Sequence, residues 1–329
     1  MPKCSCAPIT NRSVNPPTPF VKKSILPNNL VNSQNERIQN LWRLAGTLLA
    51  LILLSILIRE ESGAEIISAL KNIKPFYFIL GILVMLVSRM FVVLRWHILL
   101  RSAQVKIPFL RTAMLTFTGL FSSNFLPTTI GGDVVRLTGA MQLGYDRAIC
   151  LASLVADRLI GMAGMLFALP FGLMPVFSNP NSLQAFSLAP LVTKIREFIH
   201  RTLSAFSIWF KKPKALMYSL LFTFGNMACI FAAIYLLAEG MSDHLSYWLI
   251  AGLWSLTYFV TLIPISINGF GVQELSLTFL LSRLGGLTPA ESLTIAILIR
   301  LLFIITSLPG AIFLPSILAA INAKPEPPT

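Results

Sequence analysis

Charged residues are scarce in this sequence. Asp, Glu, Lys and Arg make up 12% of its 329 residues, whereas about 25% is usual in a soluble globular domain. Hydrophobic residues make up 55%, and the mean hydropathy is +0.75. This composition excludes a soluble domain and predicts an all-α integral membrane protein.

Histidine and the common catalytic motifs are also scarce or missing. The three histidines, at positions 97, 200 and 244, are too scattered for a zinc site. The four cysteines suit neither a metal site nor a disulfide framework, and no GxSxG or phosphate-binding GK[ST] motif is present. We therefore expect no catalytic residue, no metal and no cofactor, and predict that the chain is not an enzyme.

Acidic residues are outnumbered, with 13 Asp and Glu against 26 Lys and Arg. The basic residues cluster in three polar segments, which are 1–43, 95–111 and 194–214. The positive-inside rule places all three on the cytoplasmic side. We therefore predict a multi-pass protein of the plasma (inner) membrane with a cytoplasmic N-terminus, and no nucleic-acid partner.

Seven apolar runs predict about seven transmembrane helices within a domain spanning residues 44–318. A disordered basic tail, 1–43, precedes the domain, and a short tail, 319–329, follows it. Residues 191–210 have apolar side chains at helical spacing and predict an amphipathic helix in the cytoplasmic interface. The runs are Leu44–Ile58, Phe76–Leu94, Phe109–Leu126, Ala148–Phe171, Leu216–Ala238, Tyr247–Ile263 and Leu293–Leu318.

The segment from Asn124 to Arg158 interrupts this apolar pattern. Pro127 and the Gly131-Gly132 pair predict a break in the third run. Asp133 is a suitable N-cap for a short helix that ends near Gly144. A helix of roughly 10 residues reaches about half way across a hydrocarbon core, so we predict a re-entrant segment.

A second broken segment follows Pro264, and the two share an order of residue types. Each has Pro, a Gly pair, a charged residue, Leu-Gly, Ala and then Arg. In this alignment Glu274 takes the place of Arg136, which makes the second segment acidic. The predicted sides of the spans make the repeat halves, about 109–171 and 247–318, inverted relative to each other, as in many transporters.

Several motifs resemble one family. LPTTIGGDVVR followed by ADRLIG, RWHILL at 95–100, and PxSxNGFGxQE followed by Ala290 and Arg300 are similar to the lysylphosphatidylglycerol synthase transmembrane region, also called the flippase-like or UPF0104 family. The resemblance covers about residues 44–318. It implies a membrane domain that moves a modified lipid between leaflets. The soluble aminoacyl-transferase domain of the synthases is not expected here.

Charged side chains inside the apolar runs are the candidate site, because each costs about 2.5–3.5 kcal/mol where it faces lipid. They either bind a lipid headgroup or lock the broken helices together. A half-helix N-terminus with Arg136, Arg158 and Arg300 nearby suits a lipid phosphate. We expect Arg95 to snorkel to the cytoplasmic face, whereas Arg89 either points inward or snorkels with it. The candidates for headgroup binding or gating are Gly131, Gly132, Asp133, Arg136, Asp157, Arg158, Gly269, Gly271, Glu274 and Arg300.

The sequence thus predicts a flippase-like protein that binds and translocates a phospholipid or a lipid-linked headgroup. The acidic second segment favours a zwitterionic or cationic headgroup. An alternative is a membrane subunit or scaffold for a separate aminoacyl- or glycosyl-lipid transferase. In a third interpretation Asp133 and Glu274 act as acid and base in a lipid-linked transfer.

Overall fold

The computed structural model describes residues 73–126, 131–178, 213–241, 244–262 and 267–322. The first predicted span, the predicted tail 1–43, the interfacial helix 191–210, Pro127 and Pro264 lie outside these ranges. Of the predicted tail 319–329, only residues 319–322 are described, and they belong to the last helix. The described residues form α-helices and one short 3₁₀ turn, without strands, which confirms the all-α class. The helices are α1 Pro75–Ser102, α2 Phe109–Ser123, α3 Gly131–Gln142, α4 Arg147–Ser178, α5 Pro213–Gly240, α6 Tyr247–Thr261, α7 Val272–Leu284, α8 Pro289–Ser307 and α9 Pro309–Asn322, with the 3₁₀ turn at Ile267–Gly269.

Four of these helices are long and apolar enough to cross a membrane. They are α1, α5, α8 and residues 147–171 of α4, with mean hydropathies of 1.7 to 2.4. Helices α2 and α6 have 15 residues each, fewer than the roughly 20 that a spanning helix needs. The protein is therefore a helical membrane protein, and seven crossings stay a prediction.

The last apolar run, 293–318, is two helices rather than one. Helix α8 ends at Ser307, and Pro309 begins α9. Proline is favourable at the first position of a helix but cannot donate the backbone hydrogen bond that would continue α8. Helix α9 instead packs on α2, where a β-carbon on Gly310 would lie 2.0 Å from the Phe117 carbonyl oxygen.

The main hydrophobic core lies where α1 and α5 pack together and are covered by α4, α6, α7 and α8. A smaller cluster joins α1, α2, α3 and α4 around Trp96. Residues typical of the main core are Met85, Met165, Ile234, Leu253, Leu281 and Leu302. The short helices α3 and α7 are thus both packed against longer helices.

Helix α3 begins three residues earlier than expected, so Asp133 is its third residue and not its N-cap. The predicted end is confirmed. Gly144 has φ +83°, its N–H donates to the Met141 carbonyl, and the Tyr145 N–H donates to the Ala140 carbonyl. These two bonds are the Schellman arrangement that a glycine after a helix permits.

Helices α2–α3–α4 and α6–α7–α8 follow the same plan. In each set a helix of 15 residues precedes a short one, of 12 residues in α3 and 13 in α7, and a long helix follows. Glu274 is the third residue of α7, as Asp133 is of α3. Counted from the helix starts, Glu274 therefore corresponds to Asp133, whereas the predicted alignment paired it with Arg136.

Candidate functional site

Both halves contain the same ion pair. Arg158 Nε donates to Asp133 Oδ2, which joins α4 to the first turn of α3. Arg300 Nε donates to Glu274 Oε1, which joins α8 to the first turn of α7. Each arginine is the twelfth residue of its helix, counted from Arg147 and Pro289. The two pairs tie each short helix to the long helix that follows it.

The first half extends its pair into a chain of five charges. Arg136 Nη1 lies 3.2 Å from Asp133 Oδ1 and 3.3 Å from Asp157 Oδ2. Arg95 Nε lies 2.7 Å from Asp157 Oδ1. The chain Arg95–Asp157–Arg136–Asp133–Arg158 therefore joins α1, α3 and α4. Arg95 is buried and does not snorkel, contrary to expectation, because the carboxylate of Asp157 meets it inside the protein.

Arg136 is only partly satisfied by this chain. It is 6% exposed, and its guanidinium lies 4.1 Å from the centre of the Trp96 ring. Its Nε and Nη2 atoms are buried without a hydrogen-bond partner among the described residues. Buried guanidinium N–H groups without an acceptor are unfavourable, so Arg136 has donor capacity left for an anion.

In the second half, the ion pair of Glu274 and Arg300 is not extended by further charges among the described residues. Glu274 Oε2 accepts from the Gly271 N–H at 2.7 Å, while the Arg300 guanidinium lies 4.5 Å from the Phe270 ring and 3.4 Å from the Gly269 carbonyl oxygen. Gly269 and Gly271 have φ of +71° and +77°, a region that favours glycine. These glycines therefore shape the loop that holds the ion pair.

A cavity of about 320 Å³ lies between the two halves. Its described lining carries no carboxylate. Four arginines from α1, α4 and α8 line it, together with the amides of Asn124, Asn226, Asn268 and Gln273 and a hydroxyl from Tyr258. The arginines are Arg89, Arg95, Arg158 and Arg300. The cavity is electropositive and rich in hydrogen-bond donors.

Arg89 differs from the other arginines of this cavity. It is 8% exposed, and its Nε lies 3.3 Å from Thr306 Oγ1. The ring of Phe303 lies 4.8 Å from its guanidinium carbon. No carboxylate of the described residues lies within ion-pair distance of it. Arg89 is a buried cation whose two described contacts, the Thr306 hydroxyl and the Phe303 ring, are neutral.

A smaller cavity of about 210 Å³ adjoins the five-charge chain. Asp133, Arg136, Asp157 and Gly132 line it, and it shares Arg95, Arg158 and Tyr258 with the larger cavity. Across both cavities and the two ion-pair systems, five arginines face three carboxylates. The described site therefore has an excess of two positive charges.

The predicted residues are brought together in part. Asp133, Arg136, Asp157 and Arg158 form one network, and Glu274 pairs with Arg300 beside Gly269 and Gly271. Glu274 does not line the larger cavity, so the acidic surface expected for a cationic headgroup is not found in the described lining.

The two predicted glycines of α3 have packing contacts. A β-carbon on Gly132 would lie 2.3 Å from the Gly119 carbonyl oxygen, and one on Gly131 would lie 2.5 Å from Leu126 Cβ. The close approach at Gly132 is therefore between two helix backbones. A glycine at this point lets α2 and α3 cross.

Sequence reasoning did not include Arg89, Arg95, Asn124 or Gln273 in the site. The sequence could have indicated the two arginines, because both lie in a strongly apolar helix where a lipid-facing charge is costly. The amides gave no signal, because Asn and Gln are common at helix ends and in loops.

The chain matches the family described as lysylphosphatidylglycerol synthase TM region over residues 43–193 and 181–310. These matches cover most of its 329 residues. The chain belongs to this family. The lysylphosphatidylglycerol synthase TM family takes its name from the membrane part of the synthases, and the match is to that transmembrane region. No curated protein matches the chain.

Proposed function

We propose that this protein binds the phosphate of an anionic lipid headgroup in the arginine-lined cavity and moves that lipid between leaflets. The observation that carries the proposal is a cavity with four arginines and no carboxylate in its described lining. Arginine is well suited to phosphate because its planar guanidinium donates two parallel hydrogen bonds. Membership of a membrane family makes a lipid the natural source of that phosphate.

For the architecture, we propose two halves that are inverted in a domain of about seven transmembrane helices. The support is the matched position of the two carboxylate–arginine pairs on α3–α4 and α7–α8. Broken helices at such an interface are a common way to build a transporter site. We also propose a plasma-membrane location with a cytoplasmic N-terminus, and the support for this orientation is the positive charge of the polar segments.

The test is leaflet-resolved movement of lipids in proteoliposomes made with the purified chain. Headgroups are supplied one at a time, and Arg158→Gln is measured beside the wild type. We expect movement of an anionic lipid that Arg158→Gln slows by at least about tenfold, the value of one lost charge-assisted hydrogen bond. Arg101→Gln is the matched control, since Arg101 is exposed at the end of α1. Absence of movement for every headgroup would contradict translocation.

A scaffold for a separate lipid-modifying enzyme is the second candidate. The five-charge chain favours it, since a chain of alternating ion pairs across α1, α3 and α4 also holds these helices together. Under this alternative, Arg136→Gln and Arg158→Gln lose folded protein. Under the transport proposal both variants melt at a lower temperature, because each breaks an ion pair, but they stay folded at the assay temperature and lose lipid movement.

A further inference from the structure

We propose that the cavity selects a phosphate monoester headgroup with two negative charges, and that Arg89 determines this selectivity. The inference rests on the proposed function and names the class of headgroup. It follows from the charge count of the described site and from the position of one arginine.

The charge count distinguishes two kinds of lipid phosphate. A phosphodiester, as in phosphatidylglycerol, carries one negative charge, whereas a phosphate monoester carries about −1.5 to −2 at pH 7. The described site has five arginines and three carboxylates. A monoester balances the excess of two positive charges, and a diester leaves one buried cation uncompensated, which is unfavourable.

Arg89 accounts for one of these two charges. The other four arginines belong to the ion-pair systems that contain Asp133, Asp157 and Glu274. Arg89 instead contacts the Thr306 hydroxyl and the Phe303 ring. An anion in the cavity is therefore the partner that its charge lacks among the described residues.

The arginines also surround the cavity from different helices. Arg89 lies on α1, Arg158 on α4 and Arg300 on α8, and all three line the same space. A monoester has three terminal oxygens that accept hydrogen bonds, and a diester has only two oxygens that are not esterified. Three donors from three helices therefore match the monoester.

The protonation of the ligand offers an independent test. The second pKa of a phosphate monoester is near 6, so the headgroup loses one negative charge as the pH falls from about 7.5 to about 5.5. The groups that line the cavity with Arg89 among the described residues are arginines, amides, hydroxyls, two thioethers and apolar side chains, without His, Asp or Glu. The change in affinity over this range should come from the lipid.

The experiment measures lipid binding to the full chain in detergent by native mass spectrometry. Phosphatidic acid and phosphatidylglycerol with the same acyl chains compete, and inorganic phosphate is the soluble arm. We expect phosphatidic acid to bind about tenfold more tightly at pH 7.5, the factor of one charge-assisted hydrogen bond. At pH 5.5 we expect this preference to fall to about threefold, because roughly three quarters of the monoester is then a monoanion.

Arg89→Gln should abolish the preference, because it should weaken phosphatidic acid binding about tenfold more than phosphatidylglycerol binding. It breaks no ion pair among the described residues, so we expect it to fold. Arg101→Gln, on the same helix, is the control and should keep the preference. If Arg89→Gln melts well below the wild type, Arg89→Lys replaces it. Lysine keeps the charge without the planar fork, and part of the preference should survive.

The outcomes separate this inference from the proposed function. Equal binding of both lipids by the wild type at pH 7.5 overturns the selectivity and leaves the anionic-lipid site intact. An unchanged preference in Arg89→Gln overturns the role of Arg89 in that selectivity. Binding of neither lipid overturns both proposals. If inorganic phosphate binds as tightly as phosphatidic acid, the site is a dianion site for a soluble ligand. That result overturns lipid transport.

Discussion

The two halves of this membrane protein share one ion pair and differ in almost everything around it. Asp133–Arg158 and Glu274–Arg300 occupy the same positions in their helices. Where the first half has Arg136 in α3 and Asp157 in α4, the second has Leu277 and Ile299, both buried. The shared pair is thus the common scaffold, and the additional charges distinguish the first half.

The glycines differ in the same way. Gly119 and Gly132, which let α2 and α3 touch, correspond by position in their helices to Thr257 and Gln273 in the second half. The close crossing leaves Arg136 against the backbone of α2, where a β-carbon on Gly119 would lie 2.5 Å from Arg136 Cγ. The tight packing and the dense charge of the first half therefore depend on each other.

The strongest test of the relation between the halves is the side on which each break lies. In a chain whose native cysteines are replaced, Thr128→Cys and Ser266→Cys should react with impermeant reagents from opposite sides of the membrane. Both positions lie outside the described residues. Ser62→Cys, labelled from outside, and Lys106→Cys, labelled from inside, are the controls. The expected effect is all-or-none, and labelling of both breaks from one side would exclude inverted halves.

The next largest effect is expected at Asp157. Asp157→Asn leaves Arg95 and Arg136 without their shared carboxylate, and breaking a buried ion pair costs about 3–5 kcal/mol. Thermal unfolding in detergent should show a large loss of stability. At the matched position of the second half, Ile299→Val should cost about 0.5–1.5 kcal/mol, because it removes one methylene group. If the two variants have the same melting temperature, the five-charge chain does not stabilise the fold.

A smaller effect is expected where α2 and α3 cross. Gly132→Ala places a β-carbon against the Gly119 carbonyl, and such overpacking costs about 1–3 kcal/mol. Gln273→Ala is the matched change in the second half and should be nearly neutral, since Gln273 Nε2 is buried without a partner among the described residues. Melting temperatures of both variants check this. Equal destabilisation by both would mean that the crossing is no tighter in the first half.

The smallest expected effect is a difference in coupling energy between the two ion pairs that the halves share, Asp133–Arg158 and Glu274–Arg300. Glu274→Gln/Arg300→Gln removes an isolated pair, so the double variant should recover most of the stability that either single variant loses. Asp133→Asn/Arg158→Gln should recover less, by roughly 1 kcal/mol, because Arg136 then loses an acceptor as well. Double-mutant cycles from unfolding in detergent measure the difference. Identical coupling energies would show that Arg136 does not depend on Asp133.

The membrane class and the ends of some elements could be predicted because they follow from local chemistry. Gly144 ends α3 since only glycine takes that backbone conformation without strain. The cost of a charge in lipid predicted that Asp133, Asp157 and Arg158 would turn inward. Both predictions follow from a short stretch of sequence, without knowledge of which distant residues come into contact.

The partners of those charges could not be predicted, because they come from distant parts of the chain. Arg95 and Asp157 are 62 positions apart, and no local pattern joins them. The alignment of the halves from Pro127 and Pro264 also failed, since the second loop is longer and contains Asn268, Gly269 and Gly271 with positive φ. Counting from the helix starts instead aligns Asp133 with Glu274.

The excess of two positive charges has a consequence for how the membrane potential acts on this protein. Moving one elementary charge through 100 mV changes the free energy by about 2.3 kcal/mol. If the cavity carries a dianionic headgroup, the loaded site is neutral, and the potential does little work on it. The empty site keeps its two charges and feels the field. Any voltage dependence of translocation would then belong to the return of the empty protein, and an electrical gradient would set the speed of its cycle.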